Sequence, residues 1–255
     1  MANILIRNIF ISGASRGIGL ELVKRFLNKQ NPPERIFAAC RSPETAQELK
    51  SLASKHSNLI TIRLDVADTA SIKAANSEAE ERLNGRGLNL LINNAGIAFF
   101  HTLYTVTAED MMAVYKTNTV GPVLLTQAFT PLLKKAAKEN PNEKMSCSKA
   151  AVINISSGAG SIERVPLEYS ANALFEYRCS KAALNMITCC VAETFKTDGI
   201  TAVAIAPGWV QTDMGGPEAP LKTEESVGTM MKVFDTLTEK HNGMFLNRKG
   251  QAMPW

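Results

Sequence analysis

The sequence predicts a doubly wound α/β fold, in which helices cover both faces of one parallel sheet. Six short apolar runs alternate with amphipathic helical patterns along the 255 residues, and this alternation is typical of βαβ units. Neither an internal repeat nor a Gly/Ser-rich linker divides the sequence, and its length is common for a single α/β domain. We therefore expect residues 1–255 to form one domain built on a parallel sheet.

The strands and helices are predicted to follow one another in a regular order. The predicted strands are 4–11, 35–40, 59–64, 88–92, 151–155 and 201–205. The predicted helices are 17–28, 43–55, 69–83, 108–115, 121–137, 174–196 and 223–237. Because the runs 88–92 and 151–155 are largely apolar, we expect them to be central strands buried on both faces.

Two segments fall outside this alternation. Residues 138–149 are polar and predict a surface loop. Residues 208–222 are rich in glycine and proline and follow a predicted strand. Since ligands of open α/β sheets bind beyond the carboxyl ends of the strands, this second segment is either a substrate-binding lid or a plain connector.

Composition argues against several classes of protein. The formal net charge is only +4, and without a basic stripe we expect no nucleic-acid partner. No apolar run is long enough to span a membrane and no signal peptide is recognisable, so we expect a cytoplasmic protein without a membrane partner. The three histidines lack metal-binding spacing and the five cysteines are odd in number, so we expect no metal and reduced thiols.

A glycine-rich turn joins the first predicted strand to the first predicted helix. It reads Ser12-Gly13-Ala14-Ser15-Arg16-Gly17-Ile18-Gly19. Glycine lets the backbone approach a pyrophosphate closely, and a helix N-terminus offers free N–H groups and the positive end of its dipole. The spacing differs from the commoner Gly-x-Gly-x-x-Gly, but its place after the first strand of a Rossmann-type fold predicts a dinucleotide site.

The end of the second predicted strand indicates which dinucleotide binds. Folds that prefer NAD usually place Asp or Glu there to bind the ribose 2′-hydroxyl, whereas this chain has Cys40-Arg41. Arg16 lies within the glycine turn. Two guanidinium groups near the ribose would bind a 2′-phosphate through charge-assisted hydrogen bonds, so we expect NADPH. The alternative is that both arginines simply face solvent.

Tyr177 and Lys181 are the candidate proton-transfer residues. They are four residues apart in the helix predicted at 174–196, so both side chains lie on one face. A free tyrosine has a pKa near ~10, and a nearby ammonium would favour the phenolate and lower that pKa. The spacing alone is common by chance, so the assignment depends on other motifs.

Further motifs lie at the ends of predicted strands or before a helix. They are Asn93-Asn94-Ala95-Gly96, Lys116-Thr117-Asn118, Asn154-Ile155-Ser156-Ser157 and Pro207-Gly208-Trp209-Val210-Gln211-Thr212. Together with the glycine turn and Tyr177-x-x-x-Lys181, they occur in the order of the short-chain dehydrogenase/reductase family, which the chain resembles along nearly its whole length. The stretches 208–216 and 242–245 are similar to the sniffer-like carbonyl reductases within that family.

The resemblance implies a catalytic role for four residues. Tyr177 would be the general acid for carbonyl reduction, and Lys181 would lower its pKa and hold the nicotinamide ribose. Ser157 would orient the substrate carbonyl. Asn118 would hold a water that links Lys181 to solvent for proton resupply.

The resemblance also implies an NADPH site that extends along the whole cleft. Asp65 and Val66 would contact adenine, Asn94 and Gly96 would line the adenosine ribose, and Val210 and Thr212 would bind the carboxamide. The full set of implied cofactor contacts is Gly13, Ser15, Arg16, Gly17, Ile18, Gly19, Arg41, Asp65, Val66, Asn94, Ala95, Gly96, Tyr177, Lys181, Pro207, Gly208, Val210 and Thr212.

The serine region leaves two questions open. Ser156 and Ser157 alternate across the strand, so only one faces the cleft; the family pattern favours Ser157, with Ser156 as the alternative. The separation from Ser157 to Tyr177 exceeds the usual family spacing, so residues 160–173 are expected to form a loop or short helix near the substrate cleft. Tyr169 is rejected as the catalytic tyrosine because Ala173, not lysine, lies four residues later.

The expected reaction is hydride transfer from NADPH to a small-molecule ketone or aldehyde, and aliphatic residues in 160–173 and 208–222 indicate an apolar substrate. One alternative is an alcohol or hydroxysteroid dehydrogenase that works in the oxidative direction. Another is a non-catalytic NADPH-binding regulator, against which the intact Ser, Tyr, Lys and Asn argue. The family resemblance implies a homodimer through the helices predicted at 121–137 and 174–196.

Overall fold

The computed structural model describes residues 5–169 and 174–255, and seven strands of this part form one parallel sheet. The strands are β1 (Asn8–Ser12), β2 (Arg35–Cys40), β3 (Leu59–Arg63), β4 (Leu90–Asn93), β5 (Ala151–Ile155), β6 (Thr201–Ala206) and β7 (Phe245–Asn247). Their order across the sheet is β3-β2-β1-β4-β5-β6-β7, and every neighbouring pair is parallel.

Helices connect the strands and cover both faces of the sheet. They are α1 (Gly17–Leu27), α2 (Gln47–Lys55), α3 (Thr69–Leu83), α4 (Ala108–Tyr115), α5 (Gly121–Glu139), α6 (Val165–Glu168), α7 (Phe175–Phe195) and α8 (Thr223–Phe234). A π-helical turn, Lys116–Val120, joins α4 directly to α5. None of the helices within residues 5–169 and 174–255 combines the length and the apolar character needed to cross a membrane.

The predicted fold class, a doubly wound parallel sheet of the Rossmann type, is confirmed. Each predicted strand is present, with ends that differ by a few residues; Ile4, the first residue of the first predicted strand, lies outside the described part. The sequence pattern does not indicate β7, because this strand has only three residues at the edge of the sheet. The helix predicted to end at 237 ends at Phe234, and the one predicted to end at 137 continues to Glu139.

Alternate strand residues contribute to two apolar cores, one on each face of the sheet. On one face, Ile9 of β1 packs with α1 and α8, where the rings of Phe26 and Phe234 stack with centroids 6.3 Å apart. On the other face, Phe10 packs against Phe129 of α5 with ring centroids 4.5 Å apart. Burial on both faces explains the near-continuous apolar character of the central strands.

A buried polar network connects the central strands to two helices. Asn93 Nδ2 of β4 donates to Asn154 Oδ1 of β5 at 2.8 Å and to Thr126 Oγ1 of α5 at 3.2 Å. Asn154 Nδ2 donates in turn to Thr188 Oγ1 of α7 at 2.8 Å. Because a buried polar group is costly when unpaired, this network fixes α5 and α7 relative to the carboxyl ends of the two strands.

The segments outside the strand–helix alternation are more ordered than their composition suggests. The prediction that 138–149 is a surface loop is wrong for Met145 and Cys147, which are buried, and Cys147 packs within the apolar core. Residues 208–222 form a folded turn in which Val210 pairs with Leu221. Segment 160–173 contains the short helix α6, and its residues 170–173 lie outside the described part.

Replacing Thr188 by valine should destabilise the protein, because Asn154 Nδ2 then stays buried without its acceptor. We expect the free energy of unfolding, measured by urea denaturation, to fall by about 1–3 kcal/mol, the cost of one unsatisfied buried donor. Thr194→Val is the matched control, since Thr194 bonds the carbonyl of Cys190 from an exposed position on the same helix. Its effect should stay within about 0.5 kcal/mol; equal losses in both variants would contradict a role for the network.

Candidate active site

The motifs singled out in the sequence meet along the carboxyl edge of the sheet. The glycine turn follows β1, residues 94–96 follow β4, Ser157 follows β5 and Pro207 follows β6. Because β1 lies between β2 and β4, the strand order reverses at this point. In open α/β sheets such a reversal opens the crevice in which ligands bind. The motif residues therefore surround one cleft.

Each of the three glycines of the turn is required by its backbone conformation, by a close approach of other atoms, or by both. Gly13 and Gly17 have φ of +67° and +55°, the left-handed region that favours glycine. A Cβ added at Gly13 would lie 2.8 Å from Ala95 Cα, and one at Gly19 would overlap the carbonyl oxygen of Gly13. Among the described residues, no side chain caps the N-terminus of α1, and its first turn has no acidic residue. Its free N–H groups fit the phosphates of a dinucleotide.

Asn94 joins this turn to the end of β4. Its Nδ2 donates to the carbonyl oxygens of Ser12 and Gly13, both at 3.0 Å. Ser12 Oγ accepts in return from the backbone N–H groups of Asn94 and Ala95, at 3.0 and 3.1 Å. The side-chain amide of Asn94 therefore holds two cleft-lining turns together.

The two arginines expected at a 2′-phosphate are exposed beside the turn. Arg41 directly follows β2. Arg16 immediately precedes α1, and its Nη1 lies 2.8 Å from Asp213 Oδ2. Segment 208–222 thus reaches across to the glycine turn through an ion pair. Ser15 and Ile18, on either side of this part of the turn, are partly buried.

Asp65 and Val66 lie just beyond β3, next to the end of β2. Asp65 Oδ1 accepts from the backbone N–H of Ala67 at 2.9 Å. The side chain of Val66 is buried and packs on the core. Val66 can therefore offer a ligand its backbone but not its side chain.

Tyr177, Ser157 and Lys181 lie together in the cleft. Lys181 Nζ lies 5.6 Å from the centroid of the Tyr177 ring and donates to the carbonyl oxygen of Ile155 at 2.8 Å. The expectation that Lys181 lowers the pKa of Tyr177 is wrong for this structure: burial raises that pKa above its ordinary value, and only a hydrogen bond with Ser157 opposes the rise. Burial lowers the pKa of Lys181 from 10.5 to about 8. Tyr177 therefore keeps its proton at neutral pH, where it can act as an acid.

The two serines after β5 have different environments. Ser156 Oγ is buried and donates to Asn185 Oδ1 of α7 at 2.6 Å. Ser157 is partly exposed, accepts from the backbone N–H of Ala159 at 3.1 Å and reaches Tyr177. Ser157, rather than the alternative Ser156, is the serine that this geometry places beside the tyrosine.

Asn118 is fully buried within the π-helical turn. Its Nδ2 donates to the Ile97 carbonyl at 2.8 Å and to Ser180 Oγ at 3.1 Å, and its Oδ1 accepts from the Ile97 N–H at 2.9 Å. A Cβ on Gly96 would lie 3.3 Å from Asn118 Oδ1 and 3.8 Å from Lys181 Nζ, so these residues adjoin. The Asn118 amide therefore joins Ile97, beyond β4, to Ser180 of α7.

Segment 207–212 lies over the glycine turn. Thr212 Cγ2 is 3.2 Å from the position that a Cβ would take on Gly17. The Pro207 carbonyl accepts a hydrogen bond from a serine of α8 at 2.7 Å, and Gly208 has φ of +87°. Val210 is buried, so it too would offer a cofactor its backbone. The segment and the glycine turn therefore form opposite sides of the same cleft.

Some parts of the site are not indicated by the sequence pattern. They include the π-helical turn, the ion pair of Asp213 with Arg16, and Met253, whose Cε is 3.7 Å from the position of a Cβ on Gly158. Asp213 is an acidic residue in segment 208–222, and the arginines predicted at the cleft could have suggested it as an ion-pair partner. No local signal marks Met253, because its approach depends on the pairing that forms β7.

The buried ammonium of Lys181 predicts a pH-dependent stability. Its folded-state pKa of about 8 lies below its ordinary value of 10.5, so the unfolded chain holds this proton more tightly and stability rises with pH through this window. Lys181→Met removes the effect. Urea denaturation should show wild type gaining about 2 kcal/mol on this variant between about pH 7 and pH 9.5. Lys196→Met is the control, because it removes an exposed lysine. If the difference in the free energy of unfolding between wild type and Lys181→Met does not change with pH, the burial of the Lys181 ammonium is contradicted.

Known proteins that resemble the chain match it over nearly its whole length. The short chain dehydrogenase family model matches residues 7–222. The crystal structure of an NADPH-bound carbonyl reductase from chicken fatty liver is 53% identical, with 100% of this chain and 96% of that chain covered and a TM-score of 0.97.

More distant relatives agree. The carbonyl reductase Sniffer of D. melanogaster is 39% identical, with 98% of this chain and 100% of that chain covered and a TM-score of 0.94. An uncharacterized oxidoreductase of Schizosaccharomyces pombe is 34% identical over 96% of this chain and 97% of its own. On the family match, the sheet topology and the cleft residues, the chain belongs to the short-chain dehydrogenase family.

Proposed function

We propose that this oxidoreductase reduces a small-molecule ketone or aldehyde with NADPH, and that Tyr177 is the general acid. The observation that carries the proposal is the grouping of Tyr177, Ser157 and Lys181 in the cleft bordered by the glycine turn. The 53% identity to the NADPH-bound carbonyl reductase from chicken fatty liver supports both the cofactor and the reaction class.

NADPH would lie across the cleft with its phosphates at the glycine turn. The free N–H groups of α1 would hold the pyrophosphate. Arg16 and Arg41 would hold the 2′-phosphate that distinguishes NADPH from NADH; both side chains are exposed beside the turn, where a phosphate can reach them. Bound NADPH supplies the hydride.

The chain's own residues would orient the substrate and move the proton. When the carbonyl carbon accepts a hydride, the electron pair of the C=O bond moves onto oxygen, and Tyr177 Oη gives its proton to that oxygen. Ser157 donates a hydrogen bond to the same oxygen as its charge develops. The Lys181 ammonium then stabilises the tyrosinate and helps to return its proton. Asn118 would shape the backbone that holds a resupply water beside Lys181.

Two alternatives differ in direction or in catalysis. An alcohol or hydroxysteroid dehydrogenase would use the same groups in the oxidative direction. Arg16 and Arg41 favour NADPH over NADH, and a preference for NADPH favours reduction of the carbonyl. A non-catalytic NADPH-binding regulator would not need Ser157, Tyr177 and Lys181 assembled beside one another.

The surface supports an apolar substrate and a symmetric partner. Ile162 and Leu167 in segment 160–173, and Met214 in segment 208–222, are exposed apolar side chains. Val123 of α5 and Met186 of α7 are also exposed, in keeping with a homodimer through these helices. The five cysteines, all within the described ranges, are free, which supports a cytoplasmic location. We take residues 1–255 to act as one NAD(P)-binding domain.

Tyr177→Phe should abolish most turnover, because the developing alkoxide loses its proton donor. We expect kcat for a ketone to fall about 10²–10⁴-fold, while the Kd of NADPH from fluorescence titration changes less than about twofold. Tyr104→Phe is the matched control, because this side chain is almost fully exposed, and it should keep kcat within about threefold of wild type. Wild-type turnover by Tyr177→Phe would refute the assignment.

Replacing Arg16 or Arg41 by glutamine should weaken NADPH binding selectively. Each loss removes a charge-assisted contact with the 2′-phosphate, so the Kd of NADPH should rise about 10–100-fold. The Kd of NADH, which lacks that phosphate, should change less than about threefold. Arg86→Gln is the control, because Arg86 is exposed and lies before β4, at the amino ends of the strands and away from the cleft. Parallel losses for the two cofactors would overturn the proposed NADPH preference.

A further inference from the structure

Glu176, the residue before Tyr177, is a buried carboxylate with an incomplete set of partners. Its side chain is fully buried in the first turn of α7, and neither carboxylate oxygen accepts a hydrogen bond from the residues that the structure describes. The imidazole of His101 faces this carboxyl group, with Nδ1 3.2 Å from Glu176 Oε1 and, among the described residues, likewise without an aligned hydrogen bond. The same nitrogen lies 3.7 Å from Asp110 Oδ2. One imidazole therefore lies between two carboxylates.

The two carboxylates depend on His101 to different degrees. Asp110 is partly exposed, and its Oδ2 already accepts from Thr107 Oγ1 at 2.6 Å. Glu176 has the partial positive charge of the α7 N-terminus and the imidazole. A buried carboxylate without hydrogen bonds is expensive unless it is paired, and removing one partner of a buried pair is strongly destabilising. Loss of the imidazole would therefore destabilise the buried Glu176 more than the partly exposed Asp110.

This pair joins the β4–α4 loop, residues 94–107, to the start of α7. The backbone N–H of Phe175 donates to the His101 carbonyl at 3.0 Å. Nearer β4, the same loop is bonded through Ile97 to Asn118. Leu174, just before α7, has φ of +43°, a conformation that persists only where the surroundings fix it. The loop thus extends from the neighbourhood of Lys181 to the residues before Tyr177.

We propose that His101 and Glu176 are a positioning pair that fixes the β4–α4 loop on the first turn of α7 and so sets the place of Tyr177 relative to the substrate carbonyl. The inference rests on the proposed function, because it takes Tyr177 as the proton donor. Neither residue of the pair touches the reacting atoms; both act through the backbone that carries Tyr177. Their contribution should therefore be measured in kcat rather than in cofactor affinity.

A double-mutant cycle tests the pair. His101→Gln leaves the carboxyl group buried without its imidazole partner, and we expect kcat for reduction of an α-diketone to fall at least about tenfold, since a small misplacement of reacting groups is costly. Adding Glu176→Gln removes the buried carboxyl group that needed the histidine, so the double variant should recover to within about threefold of wild type. The Kd of NADPH should stay within about twofold of wild type in every variant.

Matched controls use the same substitutions elsewhere. His241→Gln changes a histidine that caps a turn far along the chain, and Glu193→Gln changes an exposed glutamate of α7. Both should keep kcat within about twofold of wild type. If His101→Gln does not fold, Glu176→Gln supplies the reference state, and adding His101→Gln to it should change kcat by less than about twofold.

Backbone amide hydrogen exchange gives a readout that does not depend on turnover. Exchange in residues 97–106 and 174–181 should be faster in His101→Gln than in wild type. In the double variant it should return toward the wild-type rate. If wild type fails to reduce any carbonyl, the proposed function fails while exchange still tests the pair. Unchanged exchange in His101→Gln, or losses of kcat that multiply in the double variant, would overturn the inference.

Discussion

The burial of the Lys181 ammonium is the constraint on which the geometry of the cleft depends. A buried ammonium must find acceptors or give up its proton, and this one donates to the Ile155 carbonyl while its pKa falls to about 8. A glycine lets the lysine approach the end of β5: a Cβ on Gly160 would lie only 2.8 Å from Lys181 Cβ. On the β4 side, a Cβ on Gly96 would be in van der Waals contact with Lys181 Nζ, at 3.8 Å. The lysine therefore occupies a slot between the ends of β4 and β5, one turn after Tyr177.

The rest of α7 is held to β5 by a row of polar contacts on the same helix face. Residues 181, 185 and 188 have the spacing of a single stripe on a helix. Their contacts are Lys181 to the Ile155 carbonyl, Asn185 to Ser156 and Thr188 to Asn154. These polar groups lie in an apolar interior, so the helix cannot shift along the strand without leaving several of them unpaired. The position of Tyr177 is thus set by contacts up to three turns away.

Much of this arrangement could be predicted from the sequence. The sheet and its main helices follow from local periodicity, and Tyr177, Ser157 and the glycine turn could be brought together because residues at the carboxyl ends of parallel strands share one edge. The alternation along β5 left Ser156 and Ser157 undecided, since their tertiary partners separate them: Asn185, 29 residues beyond Ser156, for the first and Tyr177 for the second. The pairing of His101 with Glu176 and the π-helical turn likewise depend on tertiary contacts rather than on any nearby pattern.

The interlocked turns at β1 and β4 have a consequence for affinity. Asn94 and Ser12 exchange side-chain and backbone hydrogen bonds, so the glycine turn is tied to the neighbouring strand end by the chain's own contacts. The entropy of ordering this part of the cleft is therefore lost when the protein folds and not when a ligand arrives. A dinucleotide that binds here meets a preorganised cradle, and its contacts with the backbone contribute to affinity with little conformational cost left to offset.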